Sequence, residues 1–255
     1  GNITSNHNEI TKLPDERKTM TVDGHDGYSS GSFFYTEGMS RYTWFGKKYA
    51  GVDPETGKAL FYQNVTTTDD QGNQVTTITT TDQYGNASDH LCGDVLPDFY
   101  GGFGTSFQWK GLDLSVDFQY QIGGLVYDSS YQQLMGLGRG QAMHVDQLAA
   151  WSTENPNSNI PRIQYKDDAT ASTSDRFLTN ASYLTLSNIT LGYSLPQKWT
   201  HPIGAETIRI YVVGDNLYTW SKRKGLDPRQ SISGSTSQAY YRPIRTISGG
   251  ITITL

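Results

Sequence analysis

The chain has 255 residues, a formal charge of −5, charged residues at 18% and a mean hydropathy of −0.55. That length holds one large all-β unit or two small domains, and no stretch approaches the ~18 consecutive apolar residues of a membrane-spanning helix. The acidic balance, with no Lys/Arg block interleaved with aromatics, excludes a nucleic-acid surface. A β-barrel stays open, because its strands alternate and average to unremarkable hydropathy. Cys92 is the one cysteine, so no internal disulfide exists and an exported chain of this kind relies on its β-ladder. The first residues, Gly1-Asn2-Ile3-Thr4, carry neither an initiator Met nor a signal-peptide pattern; they read as part of a longer or processed protein.

In the first half, Ser32-Phe33-Phe34-Tyr35 and Lys58-Ala59-Leu60-Phe61-Tyr62 predict strands between turns. Asp53-Pro54-Glu55-Thr56-Gly57 is a turn: Pro fixes φ, Asp closes an Asx-turn and Gly accepts positive φ. The Thr-rich stretch 66–81, interrupted by Asp69-Asp70-Gln71-Gly72-Asn73, predicts a hairpin with two polar sides, standing in water.

The second half carries the stronger signal. Leu112, Leu114, Val116, Phe118, Tyr120 and Ile122 alternate with Asp113, Ser115, Asp117, Gln119 and Gln121. This run of about eleven residues matches the ~9–11 that a tilted strand needs to cross a bilayer and exceeds the about five or six usual in a sandwich. Before it, 103–109 reads as a strand, joined through the two-residue turn Lys110-Gly111. Two more long strands follow, 181–194 and 207–219, linked by 195–206. The chain closes with Ile247, Gly249, Ile251, Ile253 and Leu255 alternating against Ser248, Gly250, Thr252 and Thr254.

Connections after Trp109 and Ser194 are short, and those after Ile122 and Thr219 are long. In an up-and-down barrel short turns face the periplasm and long loops face outward. On that rule strand 207–219 runs outward and 245–255 returns, ending on the periplasmic side. Trp109, Tyr193 and Trp199 fall by the short turns, and Tyr127, Tyr218 and Trp220 by the long loops, where rings want one apolar and one wet neighbour. The 123–180 loop is long enough to be functional. Within it, 131–135 and 144–151 predict short helices, the second ended by Asn155-Pro156-Asn157, and 167–175 reads as polar surface.

Several segments resemble the barrel of SusC/RagA-type TonB-dependent transporters. They are Leu96-Pro97-Asp98-Phe99-Tyr100-Gly101-Gly102-Phe103-Gly104 with Gly111-Leu112-Asp113-Leu114-Ser115, Ser182-Tyr183-Leu184-Thr185-Leu186-Ser187-Asn188-Ile189-Thr190-Leu191-Gly192-Tyr193, and Tyr211-Val212-Val213-Gly214-Asp215-Asn216-Leu217-Tyr218. Tyr49-Ala50-Gly51-Val52-Asp53-Pro54-Glu55-Thr56-Gly57, Lys224-Gly225-Leu226-Asp227-Pro228-Arg229 and Pro243-Ile244-Arg245-Thr246 also fit. The resemblance implies that residues 1–255 are the C-terminal part of a transmembrane antiparallel β-barrel of about 22 strands in the outer membrane of Bacteroidetes, without its N-terminal plug. It also implies import of oligosaccharides or peptides, a SusD-like surface lipoprotein as partner, and the TonB system acting through the missing N-terminal region. Leu255 departs from the aromatic with which the family usually ends.

No enzyme chemistry, metal site or cofactor site stands out. His7, His25, His90, His144 and His201 are scattered, with no His-x₃-His pair. Cys92 beside His90 lacks an oriented third member. Gly101-Gly102-Phe103-Gly104 opens a strand rather than a helix, so it is no phosphate cradle; its glycines permit close strand packing or a bulge. Asp113 and Asp117, four residues apart on one strand face, are about 13 Å apart, wider than the ~6.5–9.5 Å of an inverting glycosidase pair; they read as lumen-lining acids. Trp44, Tyr49, Trp151 and Trp220 are available to stack on sugar, and Trp44 and Trp220 are the candidate substrate or lipoprotein contacts, on outward loops. The competing readings are a secreted β-sandwich carbohydrate-binding module and a secreted glycoside hydrolase.

Overall fold

The computed structural model describes all residues except 139, 224, 231–233 and 235–241, so the first residue of the 224–229 motif lies outside the described residues. Six strands form one continuous antiparallel sheet: β1 (Asn2–Thr4), β2 (Phe99–Trp109), β3 (Leu112–Ile122), β4 (Tyr183–Ser194), β5 (Thr207–Ser221) and β6 (Thr246–Thr254). The four expected long strands are present, with β2 starting earlier, at Phe99, β4 starting later, at Tyr183, and β5 ending later, at Ser221. The β2–β3 turn is tight because Lys110 and Gly111 both hold positive φ, 47° and 85°, the conformation that matches strand twist in a two-residue hairpin. At Gly111 an added Cβ would strike the Ser194 carbonyl at 2.5 Å.

Register sorts the side chains. Phe103 lies opposite Phe118, Phe107 opposite Leu114 and Trp109 opposite Leu112. Leu112, Leu114 and Val116 lie opposite Tyr193, Leu191 and Ile189, which continue to Ile210, Val212 and Gly214 and on to Ile251, Gly249 and Ile247. Partners across a ladder share a face, and faces alternate along each strand. One surface of the sheet is therefore apolar from edge to edge, and it is uncovered: Phe107, Val212, Ile247 and Ile251 are all exposed. Among the described residues no second layer packs on it, so the β-sandwich reading fails. A sheet with one bare apolar face and one polar face is what a bilayer on one side and water on the other demand.

The strand from Tyr183 to Ser194 is not a simple alternation. Leu184 and Leu186 share the apolar face with Ile189, Leu191 and Tyr193, although the parity changes between them. Ser187 is the extra residue, a bulge against β3, and β5 accommodates it through Asn216, whose φ is 50°. Bulges of this kind restore the facing of side chains beyond them.

All long connections leave the same end of the sheet and build a crown. It contains a five-stranded sheet (Met20–Val22, His25–Ser30, Phe33–Thr36, Thr43–Lys47, Asp89–Asp94), a three-stranded sheet (Tyr49–Val52, Ala59–Thr68, Gln74–Thr81) and a ribbon (Leu125–Tyr127 with Leu178–Asn180). The Thr-rich hairpin is present and almost wholly exposed along Gln74–Thr81. Trp44, Val95, Tyr127, Met135 and Phe177 form the largest core cluster, and Ala59, Phe61 and Ala87 a second. Tyr127 is thus a crown residue stacked on Trp44 at 5.7 Å, not a membrane-rim aromatic as the sequence suggested. In the 123–180 loop the two expected helices are Ser129–Leu134, capped by Asp128 accepting from the Tyr131 N–H at 2.9 Å, and a 3-10 turn at Val145–Ala149; further 3-10 turns form at Asp168–Ala171 and Asp175–Phe177. The second of the expected pair stops well before Pro156, because Trp151 turns away to donate to the Ile160 carbonyl. The 167–175 segment is not all surface: Thr170 and Ser174 are buried.

Candidate functional site

The polar face of the sheet is the surface that can meet solute. Asp113, Ser115, Asp117, Gln119 and Gln121 lie on it, as their spacing predicted. What the spacing did not show is how the acids are held. Arg209 on β5 reaches across β4 and grips Asp113 on β3 with two hydrogen bonds, Nε to Oδ1 at 3.0 Å and Nη2 to Oδ2 at 2.5 Å. The residue in between is Gly192, where an added Cβ would lie 2.5 Å from the Asp113 carboxylate. Gly192 is therefore the gap through which the bidentate pair forms. Farther up the face, the Asn188 amide donates to Asp215 at 2.7 Å, and Thr185 and Thr219 share a hydroxyl contact at 2.9 Å.

At the crown end of this face, register sets Tyr100 beside Gln121 and Gln121 beside Tyr183, one row on three neighbouring strands. That row lines a cavity of about 670 Å³ together with Asn6, His7, Tyr42, Val95, Leu125 and Arg229. Volumes of this order suit a bound small molecule. Arg229 is gripped by Asp227, Nε to Oδ1 at 2.9 Å and Nη2 to Oδ2 at 2.7 Å. Burial alone would raise the Asp227 pKa, but the hydrogen bonds from Arg229 outweigh it and hold the carboxyl below its ordinary range.

The two sequence candidates are not brought together, and neither lies on a loop. Trp44 sits in the strand Thr43–Lys47, only 3% exposed, with its ring stacked on Tyr127. Trp220 is in β5, opposite Leu184 on the apolar face, in edge contact with Tyr218 at 4.7 Å. Tyr49 and Trp151 also hold the crown together. The Tyr49 hydroxyl donates to the Asn159 carbonyl at 3.1 Å, and burial pushes its pKa up to about 12. The Trp151 indole donates to Pro54 at 3.1 Å and lies against Gly57, where no Cβ would fit. Asp53 closes the predicted Asx-turn, accepting from the Glu55 N–H at 2.9 Å.

Nucleophile chemistry is absent from the Cys92–His90 pair. The His90 ring turns to Asp23 at 2.9 Å, and burial, then the nearby Asp175, pushes the Cys92 thiol up to about 12. A thiol is the weaker nucleophile in its protonated form. Among the described residues no three His, Cys, Asp or Glu side chains gather as a metal would require.

Aromatic rims border the apolar face. Trp109 and Tyr193 lie in one row at the short-turn end, and Tyr218 and Trp220 at the crown end. From Ile210, the neighbour of Tyr193, to Trp220 the strand covers about 33 Å, or about 25 Å along the membrane normal at a tilt of ~40°. That is the height of an outer-membrane barrel's apolar band. The geometry defines a piece of a transmembrane β-barrel wall.

No family model matches the chain. It is 29% identical over 245 residues to TonB-dependent receptor P3 of Formosa agariphila, covering 93% of this chain and 23% of that one. To TonB-dependent receptor SusC of Bacteroides thetaiotaomicron it is 30% identical over 265 residues, covering 97% and 23%. The solved RagAB peptide transporter superposes with a TM-score of 0.72 at 27% identity, covering 96% of this chain and 26% of that one. The chain thus spans about a quarter of the length of these relatives. It is an outer-membrane wall segment of the SusC/RagA type of TonB-dependent transporter.

Proposed function

We propose that the chain supplies the C-terminal share of a barrel of about 22 strands that imports oligosaccharides or peptides. A SusD-like surface lipoprotein lids this barrel, and the TonB system drives it through the N-terminal region. The observation that carries this reading is the segregation of one continuous sheet into a bare apolar face and a polar face bearing Asp113, Arg209, Asn188 and Asp215. Catalysis needs a convergent acid, base or nucleophile, whereas on this polar face Asp113 is gripped by Arg209 and Asp215 accepts from the Asn188 amide. Both sheet edges require further strands, because unpaired backbone groups are not tolerated in lipid; β1 covers only three residues of β2.

For the two tryptophans, the proposal is that Trp220 meets the membrane interface and that Trp44 affects ligand or lipoprotein only by shaping the crown. The test deletes the gene for the full-length protein and complements it with the intact sequence or with Trp44→Ala and Trp220→Ala. Uptake of a labelled oligosaccharide or peptide pool and co-purification of a surface lipoprotein are then measured. Loss of uptake on deletion, restored by the intact gene, is the expected result; unchanged uptake across all tested solutes sinks the transport reading. Unchanged uptake and lipoprotein binding in both variants would remove the tryptophans from it.

A further inference from the structure

Resting on the reading of this chain as one share of a larger barrel, we infer that the open edge of the Thr-rich hairpin is a strand-docking surface. Its occupant is an extended, uncharged segment of an outward loop in the barrel portion that precedes residue 1.

Backbone geometry identifies the groups on offer. At the hairpin tip the Asp69 N–H donates to the Asn73 carbonyl at 2.9 Å, and the register runs without interruption from Thr68 opposite Gln74 to Phe61 opposite Thr81. Hydrogen-bonded and non-hydrogen-bonded pairs alternate along an antiparallel ladder. Counting from the tip, Val75, Thr77, Thr79 and Thr81 turn their N–H and C=O toward the strand Ala59–Thr68, whereas Gln74, Thr76, Ile78 and Thr80 turn theirs outward. Tyr62, opposite Thr80, fits that count, because its N–H points the other way and donates to the Lys48 carbonyl at 3.0 Å. Among the described residues no strand pairs with the outward groups.

The edge invites another strand. Exposed edges are usually blunted by a charge, a proline or a bulge, and Gln74-Val75-Thr76-Thr77-Ile78-Thr79-Thr80-Thr81 has none of these. The nearest acids stand at its ends, Asp69 and Asp70 at the tip and Asp82 held by Lys58 at 2.5 Å. Ile78 is 64% exposed, between Thr76 and Thr80 on the same face. The hairpin is also stiffened: the Thr66 and Thr76 hydroxyls meet at 3.0 Å, and the Thr79 hydroxyl donates to the Gln63 carbonyl at 3.3 Å. Strand addition draws affinity from main-chain hydrogen bonds and specificity from alternate side chains. Here those side chains call for an apolar residue beside Ile78 and offer no partner to a charge.

The place of the hairpin decides the occupant. The opposite edge of its three-stranded sheet, Tyr49–Val52, faces the described crown, with the Tyr49 N–H on Asp175 at 2.7 Å and its hydroxyl on the Asn159 carbonyl at 3.1 Å. The open edge therefore looks away from residues 123–180. The hairpin belongs to the β1–β2 connection, and β1 is the outermost wall strand on that side. Lipid requires further strands beyond β1, and the chain spans only about a quarter of the length of its relatives. The outward loops of those further strands rise beside this connection.

The experiment uses the full-length transporter, extracted from cells with whatever accompanies it. Hydrogen exchange, resolved to single amides by fragmentation in the mass spectrometer, compares the two sets of residues. With the edge filled, Gln74, Thr76, Ile78 and Thr80 exchange as slowly as Val75, Thr77 and Thr79. Ile78→Pro removes an outward N–H and leaves the hairpin's own ladder intact. It is expected to speed exchange at Thr76 and Thr80 about tenfold while Val75, Thr77 and Thr79 stay slow. Thr76→Lys, which adds a charge without touching the backbone, is expected to do the same at Ile78 and Thr80. A benzophenone amino acid placed at position 78 is expected to cross-link, in cells, to a loop of the same polypeptide that precedes residue 1. Fast exchange at the outward amides of the intact protein overturns the docking surface. A cross-link to a surface lipoprotein, to a second copy or to nothing overturns the occupant. Solute uptake by the same cells would leave the transport reading standing in each of those cases.

Discussion

The wall and the crown obey opposite rules for the same amino acids. Every buried apolar side chain among the described residues, from Leu13 and Phe34 through Met135 and Phe177 to Leu226, lies outside the six wall strands. The wall instead displays its large apolar residues, with Ile247 at 71% and Ile251 at 65% exposure, and keeps polar groups on the other face. The crown is a water-soluble protein in miniature, held by the hydrophobic effect. The wall is held by its ladder and by the lipid it meets. A substitution must therefore be judged by which solvent its side chain faces.

The largest effect expected from breaking that contrast is in the crown. Trp44→Ala empties the space stacked on Tyr127 and costs the crown about 3–5 kcal/mol. Limited proteolysis should then cut the crown early while the barrel keeps its heat-modifiable migration. If wall and crown fall together, they are one cooperative unit and the contrast is overstated. Next in size, Val116→Arg puts a charge on the apolar face near the middle of the wall and costs about 2–4 kcal/mol. Its neighbour Ser115→Arg, on the polar face, stays within about 0.5 kcal/mol. Reversible unfolding in lipid vesicles reads both, and equal costs would mean that the two faces see the same medium.

A smaller effect is expected on the polar face itself. Gly192→Ala forces Arg209 and Asp113 apart, since the new methyl occupies the space between them. Pore conductance in planar bilayers should shift toward cations, as Asp113 loses its partner, and Asp113→Asn should reverse the shift. Identical ion selectivity in all three proteins would place the pair away from the conduction path.

The smallest effects are pH-dependent and confined to the crown. Asp175 is half-buried, and that partial burial raises its pKa against the Tyr49 N–H bond that lowers it. Its folded form holds the proton more tightly than the unfolded chain, so its contribution is full below the ordinary carboxylate range and is lost as pH rises through the raised value. Asp227 has the opposite sign: its folded pKa is depressed, so its contribution is full above the unfolded value and is lost as pH falls through the folded one. Hydrogen exchange should therefore slow around Asp175–Phe177 on mild acidification, and quicken around Leu226–Arg229 only in stronger acid. Asp175→Asn and Asp227→Asn should each abolish one of these responses and leave the other.

Much of the wall was legible because alternation is a local signal that needs no knowledge of partners. The facing of Leu112–Ile122, the Lys110-Gly111 turn and the gathering of long connections at one end all follow from residue spacing and connection length. The Ser187 bulge was written in the chain as a parity change from Leu186 to Ile189, yet read as one uninterrupted strand. Trp44 and Tyr127 were misplaced for a different reason. An aromatic in an outward segment has the same local sequence whether its ring meets ligand, lipid or another ring.

The sequence by itself determined the two-faced strands, their order and the side on which each turn lies, because a period of two and the lengths of connections are properties of neighbouring residues. Only the tertiary structure decided that Arg209 meets Asp113 through the gap at Gly192, that Trp44 closes a core with Tyr127 and Phe177, and that Tyr100, Gln121 and Tyr183 form a single row. Those contacts join residues tens of positions apart, and strand register, which no short stretch of chain contains, fixes which of them meet.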